Sequence, residues 1–354
     1  MRLPGYIFVE LTVAATLAAG TTAGAVWGIH RLRADSRTPP PPTEPATALE
    51  PREDLSTLPD LRVALESSGT FMGMSDELLL ARVRTQPIVR FKLNHGGSSL
   101  SFRVDFADGS RAAWKPNQTN TQTIPRKEVA AYRLNRLLGL NSVPPAATRA
   151  VSREDLFTHL HPESLEFLPR IQAETVFGAN GKTIGTASYW IPVIKDSGLD
   201  TAEGRQLGQS WLTQGETIPP DRVSMAAQLS ELIVFDFLTA NPDRYSGGNM
   251  KMSADGTQLY FMDNTMTFFL DPTGIPRNRE ALLRAQRFSR ALYEALPRIT
   301  VRTLQRALTE EVGASYEILT SSEIEAVVAR RQFARKYIDD LIAQYGEGKV
   351  LAFP

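Results

Sequence analysis

Asp243, Asn249 and Asp263 are the side chains whose types and order suit metal-assisted phosphoryl transfer. That chemistry needs one carboxylate beside the incoming hydroxyl, and an amide with a second carboxylate to hold the Mg²⁺ that neutralises the phosphates. The stretch in question is Phe235-Asp236-Phe237-Leu238-Thr239-Ala240-Asn241-Pro242-Asp243-Arg244-Tyr245-Ser246-Gly247-Gly248-Asn249, followed by Leu259-Tyr260-Phe261-Met262-Asp263-Asn264. An apolar helix runs into a polar loop carrying Asp243 and Asn249, and a short β-rich run then delivers Asp263. Asn241-Pro242-Asp243-Arg244 is also a good turn sequence on its own. A turn, however, leaves Asp263 and two charged residues upstream, Lys115 and Glu128, without a role.

The elements that must position these groups can be read around them. Ile88 to Leu93 and Leu100 to Phe106 read as strands, and Asp108-Gly109 is a hairpin turn leading into a third, Arg111 to Lys115. The first two are joined through Gly96, Gly97, Ser98 and Ser99, a candidate phosphate cover because glycine lets backbone N–H groups approach a phosphate closely. An ordinary hairpin turn is the other reading of that loop. Arg126 to Leu138 carries Ala130, Ala131, Leu134, Leu137 and Leu138 at helical spacing and ends at Gly139, with Glu128 in its first turn. In kinases a lysine on the third strand contacts the phosphates and is oriented by a glutamate of the next helix. Lys115 and Glu128 fit both roles; alone they would read as a surface lysine and a glutamate favoured by the helix dipole. Glu174 to Phe177 and Gly185 to Val193 read as two more strands around the turn Ala179-Asn180-Gly181. His159 and His161 sit beside Pro162 without further ligands, which reads as a loop rather than a metal site. Gly204 to Leu212 and Arg222 to Thr239 read as helices, the second buried and therefore a rigid support for Asp243.

With these residues in place, the chain resembles the atypical kinases that include the four-jointed Golgi kinases, the secretory-pathway casein kinases and, more distantly, type II phosphatidylinositol 4-kinases and HipA-like kinases. Phe235 to Arg244, with Phe261-Met262-Asp263-Asn264, is most similar to the four-jointed branch. The resemblance spans roughly 88–270 and implies an α+β, two-lobed protein-kinase-like fold with a β-rich first lobe and a helical second lobe. It further implies ATP and Mg²⁺, or Mn²⁺, as cofactors, Asp243 as the catalytic-loop acid, and Asp263 in the part of the DFG aspartate. Tyr189-Trp190-Ile191-Pro192-Val193 resembles the family's run into the hinge, so Trp190 and Ile191 become candidate adenine contacts, with a core strand as the alternative. Two departures stand out. Asn249 lies six residues after Asp243 where the usual kinase loop has five, an excess that Gly247-Gly248 can absorb as a bulge. Thr265-Met266-Thr267-Phe268-Phe269 lacks the glycine that usually follows the metal-binding acid, which leaves a pseudokinase open as an alternative.

Thirty-nine basic side chains against 39 acidic ones leave no footprint for a nucleic-acid partner, and the absence of cysteine excludes disulfides and thiolate metal sites. Tyr6 to Ile29 is apolar apart from Glu10 and a few threonines, long enough for a membrane anchor (1–30). A cleaved secretory signal and a prepilin-like leader at Gly5 to Leu11 are the other readings. Arg31, Arg33 and Arg37 follow the span and only Arg2 precedes it, which places the body in the cytoplasm. A leader would instead put it on the periplasmic or extracellular side. Pro39 to Pro42 open a proline-rich linker (31–60), followed by short helices at Leu61 to Leu65 and, capped by Ser75, Asp76 to Arg84. The first lobe is expected over 61–195 and the second over 196–354. In the second, Arg277, Arg279, Arg284, Arg287 and Arg290 stud a helix expected to run to Leu296, and Ser322 with Glu325 forms a capping box for a last helix to Tyr345. The expected function is a membrane-anchored kinase acting on a protein or glycan hydroxyl. A scaffolding pseudokinase and a phosphoinositide-type lipid kinase are the alternatives.

Overall fold

Apolar and polar residues alternate along Phe102–Phe106 and Arg111–Pro116, and the alternation sorts the side chains by face. Phe102, Val104, Phe106, Ala112 and Trp114 are buried on one face, and Lys115 stands on the other. The computed structural model describes residues 70–354 apart from Gly247 and residues 310–316, and these belong to one packed unit, Asp60–Pro354. The expected anchor, the proline-rich linker and the short helix at Leu61 to Leu65 fall outside the described residues. Among the described residues, no helix is long and apolar enough to cross a membrane.

The first half runs β1 (Thr70–Phe71), β2 (Met74–Ser75), α1 (Asp76–Thr85), β3 (Ile88–Leu93), β4 (Phe102–Phe106), β5 (Arg111–Pro116), α2 (Arg126–Leu137), β6 (Ala146–Ser152), α3 (Arg153–Thr158), α4 (Leu168–Glu174) and β7 (Lys182–Tyr189). Strands β3 to β7 form one five-stranded antiparallel sheet in the order β3-β4-β5-β7-β6. Trp114 packs against Phe91 and Phe102 with ring centroids 5.4 and 5.7 Å apart, which binds three strands into one slab and fixes the strand that ends in Lys115. Helix α1 is capped by Ser75, whose hydroxyl accepts from Leu78 N, and it packs on β6 and β7.

After β7 the chain crosses at residues 190–193 into β8 (Ile194–Asp196), α5 (Ala202–Trp211), α6 (Val223–Thr239), β9 (Met250–Ser253), β10 (Leu259–Phe261), α7 (Pro276–Arg284), α8 (Arg290–Ala295), α9 (Val301–Thr309), α10 (Ser321–Tyr345) and α11 (Glu347–Val350). A second, three-stranded sheet in the order β10-β9-β8 lies beneath the crossing. Every residue of α6 from Leu232 to Thr239 is buried, so this helix forms the floor on which the polar loops rest. It ends because Ala240 adopts a left-handed conformation (φ 49°), which turns the chain sharply into Asn241.

The structure corrects the reading of the sequence in several places. Glu174 to Phe177 is not a strand: α4 extends to Glu174, and only an isolated bridge joins Thr175 to Gln118. The partner of β7 is instead β6, whose small residues at Ala146, Ala147 and Thr148 are all buried and show no alternation. β7 spans Lys182–Tyr189 rather than Gly185 to Val193. The arginine-studded helix is two helices, because Ser289 caps α8 anew while Phe288 exchanges backbone hydrogen bonds with Val350 and Phe353. The last helix starts two residues earlier than expected, with Thr320 and Glu323 forming its capping box.

The tightest backbone approach in the sheet lies beside Lys115. A Cβ added to Gly185 would sit 2.4 Å from the Lys115 carbonyl oxygen and 2.8 Å from Trp114 Nε1. Gly185→Ala must therefore spread β5 from β7, and overpacking of this kind costs about 1–3 kcal/mol. Urea denaturation is expected to show that loss; an unchanged midpoint would mean the two strands are not held this closely.

Candidate active site

The crossing segment, the sheet and the second sheet enclose a cleft of about 240 Å³. Tyr189, Trp190, Ile191, Ile194 and Met262 give it an apolar end, and Lys115, Glu128, Asn249, Asp263 and Thr265 a polar one. Ile191 also anchors a small buried cluster with Phe71, Leu79 and Tyr260, which stiffens the crossing from behind. Apolar walls converging on a few charged groups are the usual form of a nucleotide-sized site.

At the polar end, Lys115 Nζ lies 2.5 Å from Asp263 Oδ1, and the Thr265 hydroxyl donates to the same oxygen at 2.8 Å. Burial pushes the Asp263 carboxyl up, but the Lys115 ammonium and the Thr265 hydrogen bonds outweigh it and hold the group below the usual carboxylate range. Asp263 has φ 51°, a left-handed conformation that Asp tolerates better than most residues. Glu128, expected to orient Lys115, spends its hydrogen bonds elsewhere. Its Oε2 accepts from Asn264 N at 2.7 Å and its Oε1 from Asn264 Nδ2 at 3.0 Å. Burial, together with the charge of Asp263, raises the Glu128 carboxyl above its ordinary value, while Lys115 opposes the rise.

Asp243 does not line the cleft itself. Asn241 Oδ1 accepts from Asp243 N at 2.9 Å, an Asx turn that sets the loop. Asn249 does line the cleft, and its Nδ2 donates to Asp243 Oδ2 at 3.0 Å, so Asp243 stands one hydrogen bond behind Asn249. With the amide nitrogen committed in this way, Asn249 has its carbonyl oxygen as a donor for a hard cation. Asp263 and Asn249 together supply oxygen ligands of the kind Mg²⁺ takes, and leave the remaining positions to phosphate and water oxygens. Among the described residues there is no cluster of three or more His, Cys, Asp or Glu side chains fit to hold a metal ion without such help. His159 and His161 end one helix and begin the next turn.

Gly96, Gly97, Ser98 and Ser99 are not brought to the cleft. Both glycines have positive φ, and the loop is drawn toward α4, where Arg170 Nη2 donates to Ser98 O at 2.9 Å. His95 meets the ring of Phe167 on the same side.

Sequence reasoning assigned no role to Asp236, Arg244 and Asn264, which turn out to organise the site. Arg244 is fully buried. Its Nε and Nη2 donate to the Asp236 carboxylate at 3.0 to 3.2 Å, and Nη2 also donates to Asn264 Oδ1 at 2.7 Å. Nη1 donates to Asn249 O at 2.9 Å and Met262 O at 2.5 Å. One guanidinium thus ties together the helix before Asp243, the Asn249 loop and the strand that delivers Asp263. The signal was present in the sequence, since a lone acid in the apolar run Leu232 to Leu238 must find a cation when buried. Burial pushes the Asp236 carboxyl up and Arg244 opposes it. The segment beyond Asp263 is held as firmly. Lys127 Nζ donates to Thr267 O at 2.5 Å, and Arg330 of α10 donates to Leu238 O, Phe269 O and Asp271 O at 2.7 to 2.8 Å.

The fold has counterparts among known proteins. The fold is similar to that of a Golgi casein kinase (15% identity over 78% of each chain, TM-score 0.59) and of a Golgi casein kinase with Mn/ADP bound (15%, 78% of each chain, TM-score 0.62). It is also similar to hydra Fam20 solved with sugar (15% identity, 81% of this chain and 96% of that one, TM-score 0.59). At such identities these structures establish the fold, α+β and kinase-like. No curated protein sequence matches the chain. The family model of the four-jointed box protein middle domain matches residues 75–267, from the cap of α1 through Asp243, Asn249 and Asp263, which is more than half of the sequence. The chain therefore belongs to the four-jointed box family.

Proposed function

We propose that this chain is an atypical kinase that transfers the γ-phosphoryl group of ATP, with Mg²⁺ or Mn²⁺, to a hydroxyl of a protein or glycan. The observation that carries the reading is the meeting of Lys115, Asp263 and Asn249 at the polar end of an apolar cleft, with Asp243 one hydrogen bond behind Asn249. A Golgi casein kinase of similar fold has been solved with Mn/ADP, which supports the choice of cofactors.

In this reading Tyr189, Trp190, Ile191 and Met262 take the adenine, and the Lys115 ammonium contacts the phosphates. Asp263 and Asn249 hold the cation, which when bound neutralises charge on the phosphate oxygens. Asp243 accepts the proton of the acceptor hydroxyl while the new oxygen–phosphorus bond forms and the bond to the ADP oxygen breaks. Glu128 acts through Asn264, fixing the backbone that follows Asp263. The segment from Tyr6 to Ile29 is the chain's single-pass anchor in this proposal, and the cleft lies on the cytoplasmic side, where ATP is plentiful.

Two outcomes test the proposal. Asp243→Asn keeps shape while removing charge, so it should retain the thermal stabilisation given by ATP and Mg²⁺ and lose transfer by roughly 10² to 10⁴-fold, the scale for a general base. Asp263→Ala should lose both. A parent that binds nucleotide but phosphorylates no protein, glycan, lipid or itself would leave a nucleotide-binding scaffold as the function. For sidedness, a C-terminal alkaline phosphatase fusion in a bacterial host is expected to be inactive; an active fusion would place the cleft outside the cytoplasm.

A further inference from the structure

Beside the catalytic loop lies a second concavity, separate from the nucleotide cleft, with a volume of about 500 Å³. It opens between α5, α6 and α7. Leu199, Leu229, Ile233 and Ala281 line it together with Tyr245, which follows Asp243 by two residues, and Arg205 and Arg277 stand along it.

The arginines of this region divide sharply by what they touch. Arg284 pairs with Glu280 at 2.5 Å, Arg290 pairs with Glu347 at 2.5 Å, and Arg287 donates to Trp211 O and Glu216 O. Arg279 covers the ring of Phe333 at 5.2 Å. These four are accounted for by packing and pairing within the fold. Arg277 and Arg205 instead converge on one ring, lying 5.0 and 5.9 Å from the centroid of Tyr245. Arg205 donates to the Asp200 carbonyl, and Arg277 acts on the Asp236 charge from beyond direct contact, Asp236 being paired with Arg244. Arg277 also falls in the first turn of α7, where the helix dipole disfavours a cation, so helix stability does not explain it. Burial pushes the Tyr245 phenol up to about 12, and the ring adds no negative charge. The groove thus carries Arg205, Arg277 and Arg284 against Glu280, a surplus of two positive charges over an apolar floor.

We propose that this groove receives an acidic segment of a polypeptide acceptor, with Arg205 and Arg277 binding one of its carboxylates and the apolar floor taking a neighbouring side chain. This rests on the phosphotransfer reading for its place beside the acceptor hydroxyl. Charge complementarity identifies the occupant, because two arginines converging on one ring, with the nearby Asp236 already paired to Arg244, match a carboxylate in charge and in hydrogen-bonding geometry. A glycan fits less well, since the Tyr245 ring on which a sugar would stack is already occupied by two guanidiniums. The position accounts for specificity as well. Tyr245 is close enough to Asp243 in the chain that an acceptor running past the catalytic acid reaches the groove within a few residues at about 3.3 Å per residue.

The test is binding, read without transfer. Two fluorescein-labelled peptides carry one serine flanked by glutamates or by glutamines, and anisotropy is measured on the full chain and on the Arg205→Gln/Arg277→Gln double variant. The parent is expected to prefer the glutamate peptide by about tenfold, the scale of one charge-assisted hydrogen bond, with the preference shrinking as salt rises. The double variant should bind both peptides alike while keeping the parent's stabilisation by ATP and Mg²⁺. Equal binding of the two peptides by the parent, or an undiminished preference in the double variant, overturns the proposal. So does a sulfated oligosaccharide that displaces the glutamate peptide while the peptide itself is never phosphorylated in preference to its glutamine counterpart. Preferential peptide binding without phosphorylation of either peptide would support the groove and count against the kinase reading, so the two failures are distinguishable.

Discussion

The structure depends on burying one guanidinium. Taking the Arg244 and Asp236 charges out of water carries a desolvation cost of several kcal/mol per ion, which their attraction offsets only when the remaining hydrogen-bonding capacity is met. It is met here: Nε, Nη1 and Nη2 of Arg244 all donate, to Asp236, Asn249 O, Met262 O and Asn264. Because a guanidinium is planar and rigid, satisfying it fixes the acceptors relative to one another. Those acceptors belong to the helix before Asp243, the Asn249 loop and the end of the strand before Asp263. The relative placement of the two candidate acids therefore follows from a residue that does not itself line the cleft.

Asn264 carries that constraint across to the sheet. It accepts from Arg244 while donating to Glu128 through both its backbone and its side chain. The Asn264 amide thus gives Glu128 two donors, which oppose the rise that burial and the charge of Asp263 impose on its carboxyl. Lys115 is left to Asp263, and the pair is strong enough to hold the Asp263 carboxyl low despite its burial. The flexible switch that a glycine in Thr265 to Phe269 would allow is replaced by a fixed segment, pinned by Lys127 and Arg330. The lack of glycine from Thr265 to Phe269, taken by itself, left a pseudokinase open; Thr265 instead donates its hydroxyl to Asp263.

How much of this was legible in the sequence follows from which interactions are local. The strands holding Phe102 and Trp114, helix α2 and the buried helix α6 all announce themselves through periodicity, and Lys115, Glu128, Asn249 and Asp263 were readable as a set because their order matches a known chemistry. What was missed depends on contacts far apart in the chain. β6 is buried along its first three residues and built of small side chains, so it has no alternation to read. Glu128 finds Asn264 rather than Lys115, a choice made by tertiary geometry alone. Gly96 to Ser99 looked like a phosphate cover by composition; in the structure Arg170 of the α4 region donates to Ser98 O and the loop does not line the cleft. Of the arginines from 277 to 290, Arg284 has its partner Glu280 one turn away on the same helix, whereas Arg279, Arg287 and Arg290 find theirs far along the chain, where sequence gives no sign of them.

Whether Arg244 shapes the proposed nucleotide cleft without lining it is tested most directly by calorimetric titration of ATP with Mg²⁺ into Arg244→Met and Asp236→Leu/Arg244→Met. Removing one partner of a buried pair typically costs about 3–5 kcal/mol, whereas removing both can restore much of that stability. The account predicts that the double variant regains folding stability yet binds ATP with Mg²⁺ at least about tenfold more weakly than the parent, the scale of a 1.4 kcal/mol loss in binding. Nucleotide affinity equal to the parent's in either folded variant would contradict it.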